Sequence, residues 1–164
     1  MIKIVPLNPD QVPAARQVIS AVAQRIFEPD KSPQEFEEIL DEEHELADVN
    51  NYQQIYAEPH GIFLVVLDDD KVVGTGALRP LEFEIAELKR LWLLEVYHGQ
   101  GIGYRVVMEL FGFARRYGYK KIRLQTDSIQ TRAIAFYRRL GFVEIPAYQP
   151  NEYDDVSMEI ILQP

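Results

Sequence analysis

Residues 91–103 read LWLLEVYHGQGIG, an apolar, strand-like run that passes directly into closely spaced glycines. An amphipathic helix is predicted to follow, because Val106, Leu110 and Phe113 recur at helical spacing. A strand that enters a glycine turn and then a helix presents backbone N–H groups and a helix N-terminus to an anion. We therefore expect a phosphate-binding loop at residues 99–103.

Two familiar phosphate motifs do not fit this loop. A P-loop needs Lys and then Ser or Thr after its last glycine, whereas Gly103 is followed by Tyr104 and Arg105. A dinucleotide fingerprint needs G-x-G-x-x-G, whereas the sequence from Gly99 reads GQGIGY. A phosphate loop of another kind remains, with a glycine-rich turn that binds no ligand as the alternative.

The segments on either side of the loop predict one mixed α/β domain over residues 1–164. Before the loop we expect a strand at 2–7, helices starting at Asn8-Pro9 and Ser32-Pro33, a hairpin of strands at 61–67 and 71–78, and a strand at about 84–94. After it we expect a helix ending at Gly118, a strand at 120–126, a helix at 130–140, and strands at 142–147 and 156–162. The order is βααβββαβαββ, with about seven strands and about four helices.

Charge is distributed unevenly along the chain. The net charge is -9, and residues 28–48 alone hold 10 acidic residues and one Lys. The segment Lys89–Arg139 holds 11 basic and three acidic residues, which gives it a charge of +8. An acidic protein with one basic segment argues against general nucleic-acid binding and predicts a polyanionic ligand near the glycine loop. The acidic segment predicts either a cationic partner or a solvated helix face.

Several classes of chemistry are excluded by composition. The chain has no cysteine, and therefore no disulfide, thiolate metal cluster or acyl-cysteine intermediate. His44, His60 and His98 are too scattered for a metal pattern, and no serine lies in a G-x-S-x-G motif. No apolar run is long enough to cross a membrane and the N-terminus lacks a leader pattern, so we expect a cytoplasmic protein without a membrane partner.

Two motifs together resemble the acetyl-CoA signature of the GCN5-related N-acetyltransferases (GNAT). They are residues 91–103 and residues 133–142, which read AIAFYRRLGF. The predicted element order also resembles that fold over nearly the whole chain. Two residues depart from the family pattern: His98 stands where Arg or Gln is usual, and Gln130 where Asn is usual. Since both can donate hydrogen bonds, we expect retained acetyl-CoA binding with altered detail.

The resemblance implies a GNAT-type acyl-CoA N-acyltransferase fold and an acetyl-CoA-dependent N-acetyltransferase that uses acetyl-CoA as co-substrate and needs no metal. It implies that the loop amides hold the CoA diphosphate. It also implies that the preceding strand splays from its neighbour, so that free backbone groups of Leu93 and Leu94 meet the pantetheine and the thioester. The cofactor-binding residues that it predicts are Leu93, Leu94, Glu95, His98, Gly99, Gln100, Gly101, Ile102, Gly103, Tyr104, Gln130 and Tyr137.

Tyr137 is also the predicted general acid for the leaving CoA thiolate. It lies one helical turn beyond Ala133, a small residue that would leave room for a cofactor. The alternative is a core tyrosine. Direct attack of the amine on the thioester suits a chain without cysteine, and a backbone N–H near Leu93 would polarise the carbonyl.

Glu87 is the predicted general base. It shares side-chain parity with Leu91 and Leu93 unless a bulge intervenes. Glu84 is the alternative carboxylate, acting directly or through water, and a salt bridge from Glu87 to Lys89 or Arg90 is the structural alternative.

The predicted acceptor is a primary amine, cationic or zwitterionic, on an amino-acid-like or polyamine-like small molecule or on a peptide. The alternative function is a non-catalytic acyl-CoA-binding or sensing module on the same fold. A homodimer is compatible with the sequence, which names neither the acceptor nor the oligomeric state.

Overall fold

The computed structural model describes all of residues 1–164, and a seven-stranded sheet runs through its centre. The strands are β1 (Ile2–Pro6), β2 (Ile62–Asp68), β3 (Lys71–Glu82), β4 (Ile85–Leu93), β5 (Lys121–Thr126), β6 (Val143–Ile145) and β7 (Val156–Ile161). They lie in the order β1-β2-β3-β4-β5-β7-β6. Only β4 and β5 pair in parallel, and every other neighbouring pair is antiparallel. The predicted mixed sheet is confirmed.

Six helices flank the sheet, and the four predicted ones are among them. They are α1 (Val12–Phe27), α2 (Pro33–Glu42), α3 (Ala47–Asn50), α4 (Tyr52–Ile55), α5 (Ile102–Arg116) and α6 (Thr131–Leu140). The sequence analysis missed α3 and α4, because a helix of one turn is too short to show periodicity and neither has a side-chain cap. Tertiary packing forms them: Leu46, Val49 and Tyr56 are buried against the α1 side of the sheet.

Local sequence signals set the helix ends. The Asn8 side chain accepts a hydrogen bond from the Gln11 N–H, and the Gln11 side chain accepts one from the Asn8 N–H. A short 3₁₀ turn then leads into α1. The Ser32 hydroxyl caps α2 by accepting from the Glu35 N–H at 3.1 Å. At the other end, Gly141 ends α6 with a φ of +108°, a left-handed backbone that glycine adopts without strain.

Both faces of the sheet are buried. One core lies between the sheet and α5 and contains Leu110, Ile122 and Met158, and the other lies under α1 and contains Ile19 and Val65. Strands β2 and β3 accordingly contain continuous buried runs, as strands covered on both faces do. No helix has both the length and the hydropathy that a membrane crossing requires.

Candidate functional site

Strand β4 loses its neighbour partway along its length. It pairs with β5 only over Ile85–Glu87, opposite Lys121–Arg123, while β5 continues alongside β7 as far as Thr126. From Leu88 onward, the β5 side of β4 has no strand partner. Unpaired strand backbone is costly when buried, so this splay is a place where a ligand can complete the hydrogen bonding.

A bulge changes which way the side chains of β4 point. The register with β3 shifts between Thr75 and Ala77, and Arg90, opposite this shift, has a φ of +56°. Leu88 before the bulge and Leu91 and Leu93 after it all pack on the α5 side, although their numbers differ in parity. The predicted parity of Glu87 with Leu91 and Leu93 is therefore wrong, because the bulge adds one residue between them.

The glycine loop lies directly beyond the splay. Gly99 and Gly101 have φ values of +78° and +75°, and Gly101 precedes the first residue of α5 without a side-chain cap. A Cβ at either glycine would meet no atom within 4 Å, so both face open space. The first N–H groups of α5 have no partner within the helix and carry its positive dipole end, which suits an anion.

A cavity of about 920 Å³ joins the splay to the glycine loop. Ten of the twelve predicted cofactor residues line it: Leu93, Glu95, His98, Gly99, Gly101, Ile102, Gly103, Tyr104, Gln130 and Tyr137. Leu94 and Gln100 are absent from the lining. The Leu94 N–H donates to the Val73 carbonyl at 3.0 Å, so the expectation that this amide is free was wrong. The Gln100 side chain donates instead to the Val96 carbonyl at 3.3 Å.

The His98 imidazole makes one hydrogen bond at the start of the glycine loop. Its Nε2 lies 2.9 Å from the Leu93 carbonyl oxygen, and since a carbonyl only accepts, Nε2 carries the proton. Its buried Nδ1 has no hydrogen-bond partner. The ring thus ties the start of the loop to the last residue of β4.

The cavity also contains residues that the sequence analysis did not select. Its far wall is formed by α1 through Val22, Arg25 and Ile26, and Arg25 pairs with Glu95 at 2.6 Å. Arg132 and Arg139 of α6 line it without an ion-pair partner. The apolar stripe of α1 was visible in the sequence, but only the fold shows that its C-terminal end faces the cavity.

Tyr137 lies on α6 inside this cavity, close to Ala133 as the helical spacing predicted. It is 8% exposed and packs against Phe136 and Phe142. Burial, together with the negative charge of Asp154, raises the pKa of its hydroxyl above the usual range. The hydroxyl therefore stays protonated at neutral pH, as a general acid must.

Glu87 lies outside the cavity, fully buried on the opposite face of the sheet. Its Oε1 accepts from Arg79 Nε and Nη2 at 2.9 and 2.8 Å. Its Oε2 accepts from the Tyr148 hydroxyl at 2.6 Å and from Gln149 Nε2 at 3.0 Å. The salt bridge considered from the sequence therefore exists, but with Arg79 instead of Lys89 or Arg90. Glu84 is exposed in the β3–β4 turn, at the opposite end of β4 from the glycine loop.

Asp154 is a carboxylate that the sequence analysis missed. It lies in the loop before β7, where Asn151 donates to its Oδ2 at 3.3 Å. Burial raises the pKa of Asp154, while the Lys89 ammonium acts in the opposite direction. It lies two residues before Val156, which pairs with Thr126 at the C-terminal end of β5. No sequence motif marks it, since only the β5–β7 pairing brings it there.

The acidic segment 28–48 borders the other side of the molecule. Arg16 of α1 binds two of its carboxylates, Glu37 at 3.3 Å and Asp41 at 3.0 Å. None of its residues lines the cavity. Glu43 and Glu45 instead raise the pKa of the Tyr153 hydroxyl, after the larger effect of Glu152. No group of three or more His, Asp or Glu side chains could hold a metal ion.

Comparison with known proteins identifies the family of this arrangement. The model of the acetyltransferase (GNAT) family matches residues 23–142. The uncharacterized N-acetyltransferase YjgM of Escherichia coli (strain K12) is 33% identical over 110 residues, which is 64% of this chain and 66% of that protein. The matched region spans only 49% and 45% of two mammalian relatives, so the chain covers about half to two thirds of the curated relatives' length.

Solved structures share the fold over the whole chain. A GNAT-family acetyltransferase from Staphylococcus aureus Mu50 superposes with a TM-score of 0.85 at 19% identity, covering 99% of this chain and all of that one. The PaiA N-acetyltransferase from Thermoplasma acidophilum, solved in complex with coenzyme A, gives 0.81 at 21% identity, covering 98% and 99%. At these identities the similarity shows the fold, and the predicted GNAT-type architecture is confirmed.

We predict that Gly101→Val weakens coenzyme A binding by an order of magnitude or more. A valine side chain there would occupy the space in front of the first N–H groups of α5 and would strain a left-handed backbone. Isothermal titration with coenzyme A measures the effect.

Gly118→Val is the matched control, because Gly118 has a φ of +87°, equally open surroundings and no place in the cavity. Both variants pay a backbone strain of ~1–2 kcal/mol. Equal coenzyme A affinity in the two folded variants would contradict a ligand-binding loop.

Proposed function

The chain belongs to the acetyltransferase (GNAT) family, and on that premise we propose that it is an N-acetyltransferase that moves the acetyl group of acetyl-CoA directly to a primary amine. The observation that carries the proposal is the single cavity that joins the unpaired edge of β4 to the glycine loop. A ligand that fills it needs an extended, hydrogen-bonding arm and a phosphate group. Acetyl-CoA has both.

The phosphate end of acetyl-CoA would lie at the glycine loop. The open N–H groups at the start of α5 and the dipole of that helix favour a diphosphate. Arg132 and Arg139 add positive charge to the same cavity. The pantetheine would run along β4, with backbone groups of Leu93 beside the thioester.

Transfer would occur in one ternary complex. The amine nitrogen attacks the thioester carbonyl carbon, a C–N bond forms and the C–S bond breaks. The ammonium form of the amine loses one proton to solvent and a second to a base, so the amide product keeps one N–H. The leaving thiolate takes the proton of the Tyr137 hydroxyl, which regains a proton from solvent. A backbone N–H near Leu93 would stabilise the oxyanion that forms on the carbonyl oxygen.

We retain Glu87 as the proposed base, acting through a water molecule. Its two oxygens are held by Arg79, Tyr148 and Gln149, so it cannot contact a substrate in the cavity directly. Asp154 is the competing carboxylate, because it is partly buried in the loop that enters β7 opposite the C-terminal end of β5.

The proposed acceptor is a cationic or zwitterionic amine on a small molecule or a peptide. The acidic segment 28–48 holds 10 carboxylates, and those of Glu38, Glu42 and Glu43 are exposed. Their summed potential would raise the local concentration of an amine cation.

The proposal also covers domain organisation and location. Both hydrophobic cores pack on one sheet, which supports a single domain over residues 1–164. The absence of cysteine is compatible with the cytoplasm as the site of action.

Turnover of acetyl-CoA over a panel of amines tests the activity. Release of the CoA thiol that depends on a cationic amine is the expected result. Coenzyme A binding without thiol release on any acceptor would reject the enzyme and favour an acyl-CoA-binding module on the same fold.

We predict that Tyr137→Phe lowers kcat by ~10²- to 10⁴-fold while coenzyme A affinity changes little, because the ring still packs and only the proton donor is lost. Since its hydroxyl pKa is raised, Tyr137 should cause no fall in wild-type activity between pH 6 and about 9. Tyr117→Phe, on the exposed end of α5 outside the cavity, should behave as wild type. Unchanged kcat in Tyr137→Phe would exclude the acid role.

We predict that Glu87→Gln lowers kcat/KM by ~10²- to 10⁴-fold, because an amide cannot accept the proton that the attacking amine loses. Steady-state rates with a cationic amine measure the loss.

Two variants make this result specific. Arg79→Met breaks the same buried ion pair, at a cost of ~3–5 kcal/mol, but leaves the carboxylate. It should therefore destabilise the protein and, below its melting temperature, lower kcat/KM much less than Glu87→Gln does. Asp154→Asn should also have little effect on kcat/KM. If Asp154→Asn alone lowers kcat/KM, the base is Asp154.

We predict that replacing Glu38, Glu42 and Glu43 with Gln raises the KM for a cationic amine at low ionic strength and has little effect at high salt. The three side chains are exposed, so their field is screened over ~8–10 Å at physiological salt. Glu37 is left in place because it binds Arg16. Changing Glu58, Asp70 and Glu109 to amides is the control for total charge. Equal effects of the two triple variants would show that the acidic segment is only a solvated surface.

A further inference from the structure

Arg90 has an unusual backbone for a residue inside a strand. Its φ of +56° is left-handed, a region that glycine favours and that a residue with a Cβ enters only when its surroundings require it. Neither the family match nor the proposed chemistry gives this side chain a role. The bulge at Arg90 is nevertheless the point where β4 turns its next residues toward the cavity.

A buried network holds this conformation. Arg90 Nη2 and Nε bind the two carboxylate oxygens of Asp48 at 2.7 and 3.1 Å, and Nη2 also donates to the Glu45 carbonyl. The Tyr56 hydroxyl donates to Asp48 Oδ2 at 2.5 Å. From the other side, the buried Thr75 hydroxyl donates to the Arg90 carbonyl at 2.6 Å. Side chain and backbone of Arg90 are thus both fixed.

The charges in this network are strongly coupled. Burial alone would raise the pKa of Asp48, but its hydrogen bond and ion pair with Arg90 outweigh burial and hold the pKa below its usual range. Burial would likewise lower the pKa of Arg90, and Asp48 reverses that effect. Both groups remain charged, and each leaves the other unpaired in a buried site if it is removed.

The bulge determines where two leucines lie. Leu91 and Leu93 line the cavity, and both lie over glycines of β3. A Cβ on Gly76 would come within 3.4 Å of Leu91 Cδ1, and a Cβ on Gly74 within 2.9 Å of Leu93 Cδ1. Without the extra residue at Arg90, Leu91 and Leu93 would point to the α1 face of the sheet, away from α5.

We infer that the Asp48–Arg90 ion pair is a positioning element of the cofactor site: α3 clamps the bulge of β4 and thereby presents Leu91–Leu93 to acetyl-CoA. Only the identity of the ligand rests on the proposed function. The clamp also joins the acidic segment, which ends at Asp48, to the strand that lines the cavity. A change in the position of α3 would therefore alter binding of acetyl-CoA.

Four variants separate the parts of the clamp. Asp48→Asn removes its charge, and Tyr56→Phe removes the hydrogen bond to Asp48. Arg90→Ala removes the guanidinium and keeps the strained backbone. Arg90→Gly also removes the guanidinium but accepts a positive φ without strain.

Glu159→Gln is the matched control. Glu159 pairs with Arg123 at 2.7 Å, and the side chains of that pair are 14% and 19% exposed, close to the 16% and 18% of Asp48 and Arg90. It joins β5 to β7 and does not contact the bulge. Any purely structural ion pair should behave like it.

Affinity for coenzyme A, measured by titration well below each melting temperature, is the first readout. We expect Asp48→Asn and Arg90→Ala to weaken binding about ten- to a hundredfold, since small displacements of a binding strand are amplified at a preorganised site. Arg90→Gly should recover part of the loss, and Glu159→Gln should bind as wild type. Wild-type affinity in both Asp48→Asn and Arg90→Ala would overturn the inference.

Hydrogen exchange of the peptide covering residues 88–94 is the second readout and needs no ligand. Asp48→Asn and Tyr56→Phe should accelerate exchange there, whereas Glu159→Gln should not. This result would support the clamp even if the wild type bound no coenzyme A, in which case the proposed function alone fails. Unchanged exchange in both variants would overturn the clamp whatever the ligand, and it remains measurable if Arg90→Ala does not fold.

Discussion

The backbone of β4 beyond Glu87 has a strand neighbour on one side only, and much of the molecule is arranged around that missing partner. Buried amide and carbonyl groups must be satisfied, so an open strand edge persists only where a ligand, a side chain or water replaces the neighbour. His98 supplies part of the replacement by donating to the Leu93 carbonyl. The remainder is available to a ligand with an extended, amide-like arm. The binding site therefore exists because the sheet is incomplete beside β4.

The two sides of the sheet contribute different chemistry to this site. On the α5 side lie the helix N-terminus, the glycine loop and unpaired arginines, which together favour a phosphate-bearing ligand. On the α1 side lies the acidic segment, whose exposed carboxylates favour a cation. The splay connects the two sides, because it is the one place where the sheet is open between them. Opposite charge preferences on its two sides would suit the proposed reaction between an anionic acyl carrier and a cationic amine.

Local signals made the glycine loop, the helix ends and the order of strands and helices along the chain predictable from the sequence. Each depends on residues within a few positions of one another, such as Asn8 with Gln11 or Gly141 at the end of α6. The face of the sheet on which Glu87 lies was not predictable. The left-handed Arg90 reverses the alternation of side chains along β4, and an arginine in a sequence does not indicate that conformation. Nor were the partners of Glu87 predictable, since Tyr148 and Gln149 lie 61 and 62 residues away. Long-range polar pairs escape sequence periodicity, which records only apolar spacing.

Arg90 also explains why a bulge can persist in the middle of the sheet. The strained backbone, the unpaired neighbour strand and the buried charge would each be unfavourable alone. Together they are mutually satisfied: Asp48 neutralises the guanidinium, the guanidinium fixes the bulge, and the bulge turns apolar residues into the core beside α5. A helix as short as α3 could not form without such tertiary contacts. The same network that stabilises α3 therefore sets the shape of the strand edge on which binding depends.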